Sequence, residues 1–189
     1  MKSRWISGAL VALPLLLTAH PTPVVTLLEH ADAIRQSLHD AQRFYLRTVT
    51  VGQKDLATIR KSVDYQADDD KVQFYIGKRS DGTTAGTVLF PQVNTMHGPV
   101  EVALTLTPDG HIARVAVTRA TVETKPWVEE AVQTGFLEKM QGLSATDDPM
   151  TVVAPLKGRI GAMPWFEAQI IAAAVKQGMV VYAVLYGGT

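Results

Sequence analysis

The 189-residue chain contains no cysteine, which excludes disulfides, thiolate zinc sites, cysteine-ligated iron–sulfur clusters, c-type haem attachment and a lipoprotein anchor. Any electron carried here therefore sits on a bound organic or noncovalently held cofactor. An excess of charge is missing too, with 18 Lys+Arg against 18 Asp+Glu. Neutralising phosphates needs clustered cations, so nucleic acid is not an expected partner. Local catalytic signatures are also absent. The chain has no Gly-x-Ser-x-Gly elbow, no His-Glu-x-x-His helix, no Gly-x-x-x-x-Gly-Lys loop and no Gly-x-Gly-x-x-Gly. Internal repeats and low-complexity segments are lacking as well.

What is present is a 47% hydrophobic, 19% charged composition, that of a folded domain with a sizeable core. Lys2 and Arg4 precede an apolar stretch from Trp5 to Ala19, and His20-Pro21-Thr22-Pro23 breaks it. The pattern is that of a secretory signal over residues 1–19, so the chain is expected to be exported and periplasmic. The stretch falls short of the roughly 20 apolar residues that span a bilayer; left uncleaved, it would tether the protein to the membrane. Removal leaves 16 basic and 18 acidic residues, a net charge of 16 − 18 = −2. The remainder divides into an N-terminal helical segment, 20–64, and an α+β domain, 65–189.

From Thr26 to Leu46, Leu27, Leu28, Ala31, Ile34, Leu38, Ala41 and Tyr45 recur at spacings of three and four, which predicts one amphipathic helix. Thr48–Val51 reads as extended, and Leu56, Ile59 and Val63 mark a second short helix. Val72–Ile76, Thr87–Phe90, Val100–Thr107 and Ile112–Thr118 read as strands, linked in pairs by turns at Asp81-Gly82 and Pro108-Asp109-Gly110. Helical pieces follow around Trp127–Val132 and Gly135–Met140, then a loop through Asp147-Asp148-Pro149 and a buried apolar segment from Trp165 to Leu185. Strands first and helices second predict an α+β fold with an antiparallel sheet.

Titratable groups are dispersed. On one continuous helix His30 and His39 would lie about 13 Å apart, too far to share a metal, and both read as surface residues. Glu129 and Glu130 read as a solvated face. Asp68-Asp69-Asp70 reads as a solvated turn, because the oxygen-ligand spacing and distal Glu of a calcium loop are missing. No metal is expected.

Taken in order, the second half carries more. His97-Gly98-Pro99-Val100-Glu101 leads into a strand, Pro108-Asp109-Gly110-His111-Ile112 into its partner, and Val117–Thr124 precedes Gly135-Phe136-Leu137 and Gly142. Gly158-Arg159-Ile160-Gly161-Ala162 then precedes a helix. Over about Tyr65–Val184 this order resembles the FMN-binding domain family. That family includes flavin-bearing subunits of ion-translocating electron-transfer complexes and periplasmic parts of nitrous-oxide respiration regulators.

The resemblance implies an electron-transfer or accessory module, rather than a stand-alone enzyme, that holds FMN and serves a membrane or periplasmic redox partner. Many such proteins attach FMN through a phosphoester to the last residue of Asp-Gly-x-(Ser/Thr)-Gly-Ala-(Thr/Ser). Here the motif falls on Lys157, Gly158, Arg159, Ile160, Gly161, Ala162 and Met163. Both glycines and the alanine are kept, but Met163 has no hydroxyl, so that covalent bond cannot form. Two expectations follow. In the first, FMN is held noncovalently, with Lys157 and Arg159 on its phosphate and backbone donors from the following helix. In the second, the domain is a flavin-free scaffold or partner-binding module, and Gly161-Ala162 merely packs the helix. Glu123-Thr124 resembles a Glu-Thr-Pro turn near the flavin in some relatives, shifted here by Lys125; the same Thr124 can cap a helix starting at Pro126. His97, Trp127 and Trp165 complete the candidates, the two tryptophans reading as either stacking or core residues.

Overall fold

The computed structural model describes residues 22–65 and 70–187. The expected signal segment and Asp68-Asp69 lie outside them. The described residues form an α+β fold with seven strands: β1 (Val24–Thr26), β2 (Arg43–Thr50), β3 (Lys71–Lys78), β4 (Thr84–Leu89), β5 (Gln92–Thr95), β6 (Gly98–Leu106) and β7 (Ile112–Thr121). Five helices accompany them: α1 (His30–Ser37), α2 (Gln53–Arg60), α3 (Lys125–Gln133), α4 (Met150–Val153) and α5 (Ala162–Leu185). All strand pairs are antiparallel, in the order β1-β7-β6-β4-β3-β2, with β5 pairing β6 beside that path.

The four strands read from the sequence are present, and the turns between them form as their residues dictate. Gly82 and Gly110 both adopt φ +83°, a region open to glycine at little cost. Along β6 the period-two pattern sorts the two faces of the sheet. Val100, Val102, Leu104 and Leu106 join the main core with Ile171, Val175 and Met179 of α5. Ala103 instead joins Ala33 and Leu38, at and just beyond α1, on the opposite face.

The predicted Thr26–Leu46 helix is not one element. Only His30–Ser37 is helical; the chain turns at Leu38, and Arg43–Thr50 pairs with β3 over its whole length. Aromatic and β-branched residues favour the strand in Phe44-Tyr45-Leu46-Arg47-Thr48-Val49-Thr50, and pairing with β3 satisfies its backbone. Of the apolar residues that suggested a helical stripe, Leu38 is buried and Leu27, Leu28, Ile34 and Ala41 pack against core residues, whereas Ala31 and Tyr45 are exposed. Leu38 and Ala41 fill a bay over Gly77 and Gly86, which lie opposite each other; a Cβ on Gly77 would stand 2.8 Å from Ala41 Cβ. The segment 22–64 thus adds two strands to the sheet as well as two helices.

The final apolar segment is one uninterrupted 24-residue helix. By length and hydropathy it is apolar enough to cross a membrane, yet 67% of its most apolar window is buried within the fold. It packs on α3, α4, α2 and β6. Lys176 anchors the preceding loop by donating to the carbonyls of Ala145 (2.7 Å) and Asp147 (2.6 Å). Gly178 sets how closely the helix meets the sheet, since a Cβ there would lie 2.7 Å from Leu104 Cδ2 and 2.8 Å from Pro91 Cγ. Gly178→Ala should therefore destabilise the fold by about 1–3 kcal/mol, the usual cost of overpacking, despite the better helix propensity of alanine. Urea denaturation of both proteins measures this.

Candidate functional site

The sequence-predicted residues lie in two places along the α3–α5 pair, the β7–α3 junction with the His97 turn and the loop before α5. β7 ends at Thr121, and Val122-Glu123-Thr124 carries the chain into α3. Thr124 is buried at the cap position of α3, but its hydroxyl does not cap the helix. It lies 3.1 Å from Thr121 Oγ1 and accepts from Thr121 N–H at 3.2 Å, while Thr121 Oγ1 lies 3.0 Å from the carbonyl of His97. The expected N-cap is thus replaced by a threonine pair that locks the β5–β6 turn onto the β7–α3 junction. This pins His97, whose Nδ1 lies 3.1 Å from Glu123 Oε1. The imidazole meets Trp127 edge-on at 5.6 Å and Phe166 of α5 at 6.3 Å.

One turn further along α3, Glu130 accepts the Gly161 N–H at 3.3 Å. It does more than line a solvated face, since it ties α3 to the start of α5. Gly161 is the cap residue of α5, and the first intrahelical bond runs from Trp165 N–H to its carbonyl. Ala162 and Met163 therefore present N–H groups with no partner in the helix, and Pro164 presents none. Before them, Lys157, Gly158 and Arg159 are exposed, with Gly158 at φ +75°. Lys157 Nζ sits 5.2 Å over the Trp165 ring, and the Arg159 side chain makes no hydrogen bond or ion pair among the described residues.

Glu167 was not singled out from the sequence. Its side chain is fully buried and neither carboxyl oxygen has a hydrogen-bond partner among the described residues. Burial pushes its pKa from the ordinary 4.5 up to about 7; His97 pulls it down and Glu123 pushes it further up. The signal was available, because Glu167 is the only acidic residue between Ala162 and Leu185. An acid inside an otherwise apolar helix has either a partner or a displaced pKa.

His30 also departs from expectation. It is half-buried rather than a free surface residue: Nε2 lies 2.7 Å from Glu101 Oε1, and the ring stacks on Phe90 at 3.8 Å. His39 is exposed beside Asp40. Among the described residues no three metal-ligating side chains come together.

A phosphate at the start of α5 would find two backbone N–H groups and two nearby cations, a donor set that suits a monoester anion. Glu130 opposes it at Gly161. Met163 offers no hydroxyl for a phosphoester at that position. Beside this loop, Trp127, Phe166 and His97 supply flat surfaces and Glu167 an unpartnered carboxyl, features that suit a heteroaromatic ring. Comparison with protein-family models, curated proteins and solved structures finds no match.

Proposed function

We propose that this chain is an exported FMN-binding module that holds its flavin noncovalently and passes electrons to or from a membrane or periplasmic partner. The observation carrying this reading is that the His97–Glu123 junction and the start of α5 are tied together, by the Glu130–Gly161 hydrogen bond from α3 and by the His97–Phe166 ring contact. Lys157, Arg159 and the Ala162 and Met163 N–H groups would hold the phosphate. Trp127 and His97 would border the ring, and Glu123 would orient His97. Flavin, when bound, supplies one- and two-electron redox chemistry; the protein positions it and sets how much water reaches it. Met96, 90% exposed in the turn before His97, and Val122, 54% exposed beside Glu123, give the site an apolar rim of the kind that meets a partner.

A flavin-free scaffold is the second reading. It is favoured by Glu130, which already takes the Gly161 N–H that a phosphate would use. The visible spectrum of protein purified from the exported fraction separates the two: flavin bands, with free FMN released on denaturation, support the first, and a colourless folded protein supports the second. Covalent attachment is expected in neither. Co-expression with an FMN transferase should leave no fluorescent band on a denaturing gel, because Met163 occupies the acceptor position. A fluorescent band would place the attachment motif elsewhere in the chain.

A further inference from the structure

The sheet has one long unprotected edge. β2 ends the strand order, and among the described residues no strand pairs with its outer side. At the other end of the order stands β1, only three residues long. β2 runs for eight residues and pairs with β3 over all of them without a bulge. Arg43–Thr50 contains no lysine and no proline, so the usual devices that keep an edge strand from pairing further are missing. Three large apolar side chains stand on it in the open: Phe44 is 48%, Tyr45 50% and Leu46 55% exposed.

The hydrogen bonds fix which backbone groups of this edge are open. Val51 N–H donates to the Asp70 carbonyl at 2.6 Å, in continuation of the β2–β3 register. Alternate residues of an antiparallel strand bond the same neighbour, so Arg43, Tyr45, Arg47 and Val49 direct their backbone groups to β3. Phe44, Leu46, Thr48 and Thr50 direct theirs outward, a row of donors and acceptors ready for a further strand. A second copy of β2 suits that row. Two two-fold registers pair seven of the eight residues, one with Leu46 opposite Leu46 and one with Arg47 opposite Arg47. The second sets like charges directly against each other, which destabilises a ladder, and Arg43–Thr50 holds no acid to offset them. In the first no like charges meet. Phe44 falls opposite Thr48, and Arg47, already 5.2 Å over the Tyr186 ring, falls opposite Tyr45 of the other copy, a cation beside a second aromatic ring.

We propose that the protein forms a two-fold dimer in which β2 pairs antiparallel with β2 of a second copy, Leu46 opposite Leu46, making one continuous sheet across both chains. β7, which leads to the candidate site, lies toward the other end of the strand order. The pairing uses none of the residues proposed to hold flavin and stands whether or not flavin binds.

Analytical ultracentrifugation of the full-length protein should show a monomer–dimer equilibrium at micromolar concentration. Leu46→Lys sets two ammonium groups against each other at the two-fold axis and should weaken the dimer at least about tenfold. Leu46 is exposed, so this variant should keep the monomer's fold, which circular dichroism checks. Register is read by disulfide trapping, for which the cysteine-free chain is suited because an introduced thiol reports one contact alone. In Leu46→Cys the two Cα atoms should lie about 5.5 Å apart across the hydrogen-bonded pair, within disulfide reach. Mild oxidation should then give a band of twice the chain mass on a non-reducing denaturing gel. Phe44→Cys, about 13 Å from its copy in this register, should not link. A protein that stays monomeric to near-millimolar concentration overturns the proposal and leaves the edge to an extended segment of another protein. A dimer that Leu46→Lys leaves intact, or one that Phe44→Cys links and Leu46→Cys does not, overturns it as well.

Discussion

Replacing Glu167 with glutamine should stabilise the protein by about 3 kcal/mol near pH 8 while changing little below pH 4.5. The carboxyl is fully buried without a hydrogen-bond partner and its pKa is raised from 4.5 to about 7. Between those values the folded state holds a proton that the unfolded chain has released. The contribution of this group is therefore fully present at low pH and declines as pH rises through the folded value. The rise from 4.5 to about 7 corresponds to about 3 kcal/mol. Glutamine has nearly the same shape and does not ionise, so its variant should not show the decline. Urea denaturation near pH 5 and near pH 8 gives the comparison. Parallel profiles for the two proteins would mean that the carboxyl is solvated or paired, contrary to its place between α5 and the His97 turn.

The second large effect concerns ligand. If Lys157 and Arg159 hold a phosphate, each charge-assisted hydrogen bond contributes roughly 1.5–3 kcal/mol. Changing both to alanine should then weaken FMN by at least about 100-fold, since 1.4 kcal/mol is a factor of ten. Riboflavin lacks the phosphate and should bind both proteins alike, which separates the loss of a contact from the loss of the fold. Both side chains are exposed, so their removal should leave stability nearly unchanged. Glu130→Gln should act in the opposite direction on FMN, by removing the carboxylate from the Gly161 N–H. Calorimetric titration of both ligands into the unmodified protein and both variants measures these effects.

How far the sequence reaches depends on whether a local pattern and its tertiary setting agree. They agree in β6 and β7, where strict alternation and the Pro108-Asp109-Gly110 turn specify a hairpin with one face on α5. They disagree at Arg43–Thr50, where a helical spacing of apolar residues continues past the true end of α1 at Ser37. Pairing of this segment with β3 is a long-range property that spacing does not encode. β5 was missed because it is four residues long and continues β4 past the Phe90-Pro91 bend.

At the candidate site, the roles of individual residues differ from the local reading. Thr124 bonds Thr121 instead of capping α3, and Glu130 reaches Gly161. Glu167 and the His30–Glu101 pair became visible only when the fold placed one without partners and brought the other together across 71 positions of sequence. The isolated acid in an apolar helix was a readable warning. The His30–Glu101 pair left no such trace, because one member opens a helix and the other lies mid-strand.

The most direct test of the flavin reading is calorimetric titration of FMN and of riboflavin into the unmodified full-length protein. The account predicts saturable FMN binding at one site per chain, tighter than riboflavin by at least about tenfold, the share expected from a single charged hydrogen bond to the phosphate. A protein that remains folded yet shows no FMN binding up to millimolar concentration would contradict it and leave the scaffold reading in its place.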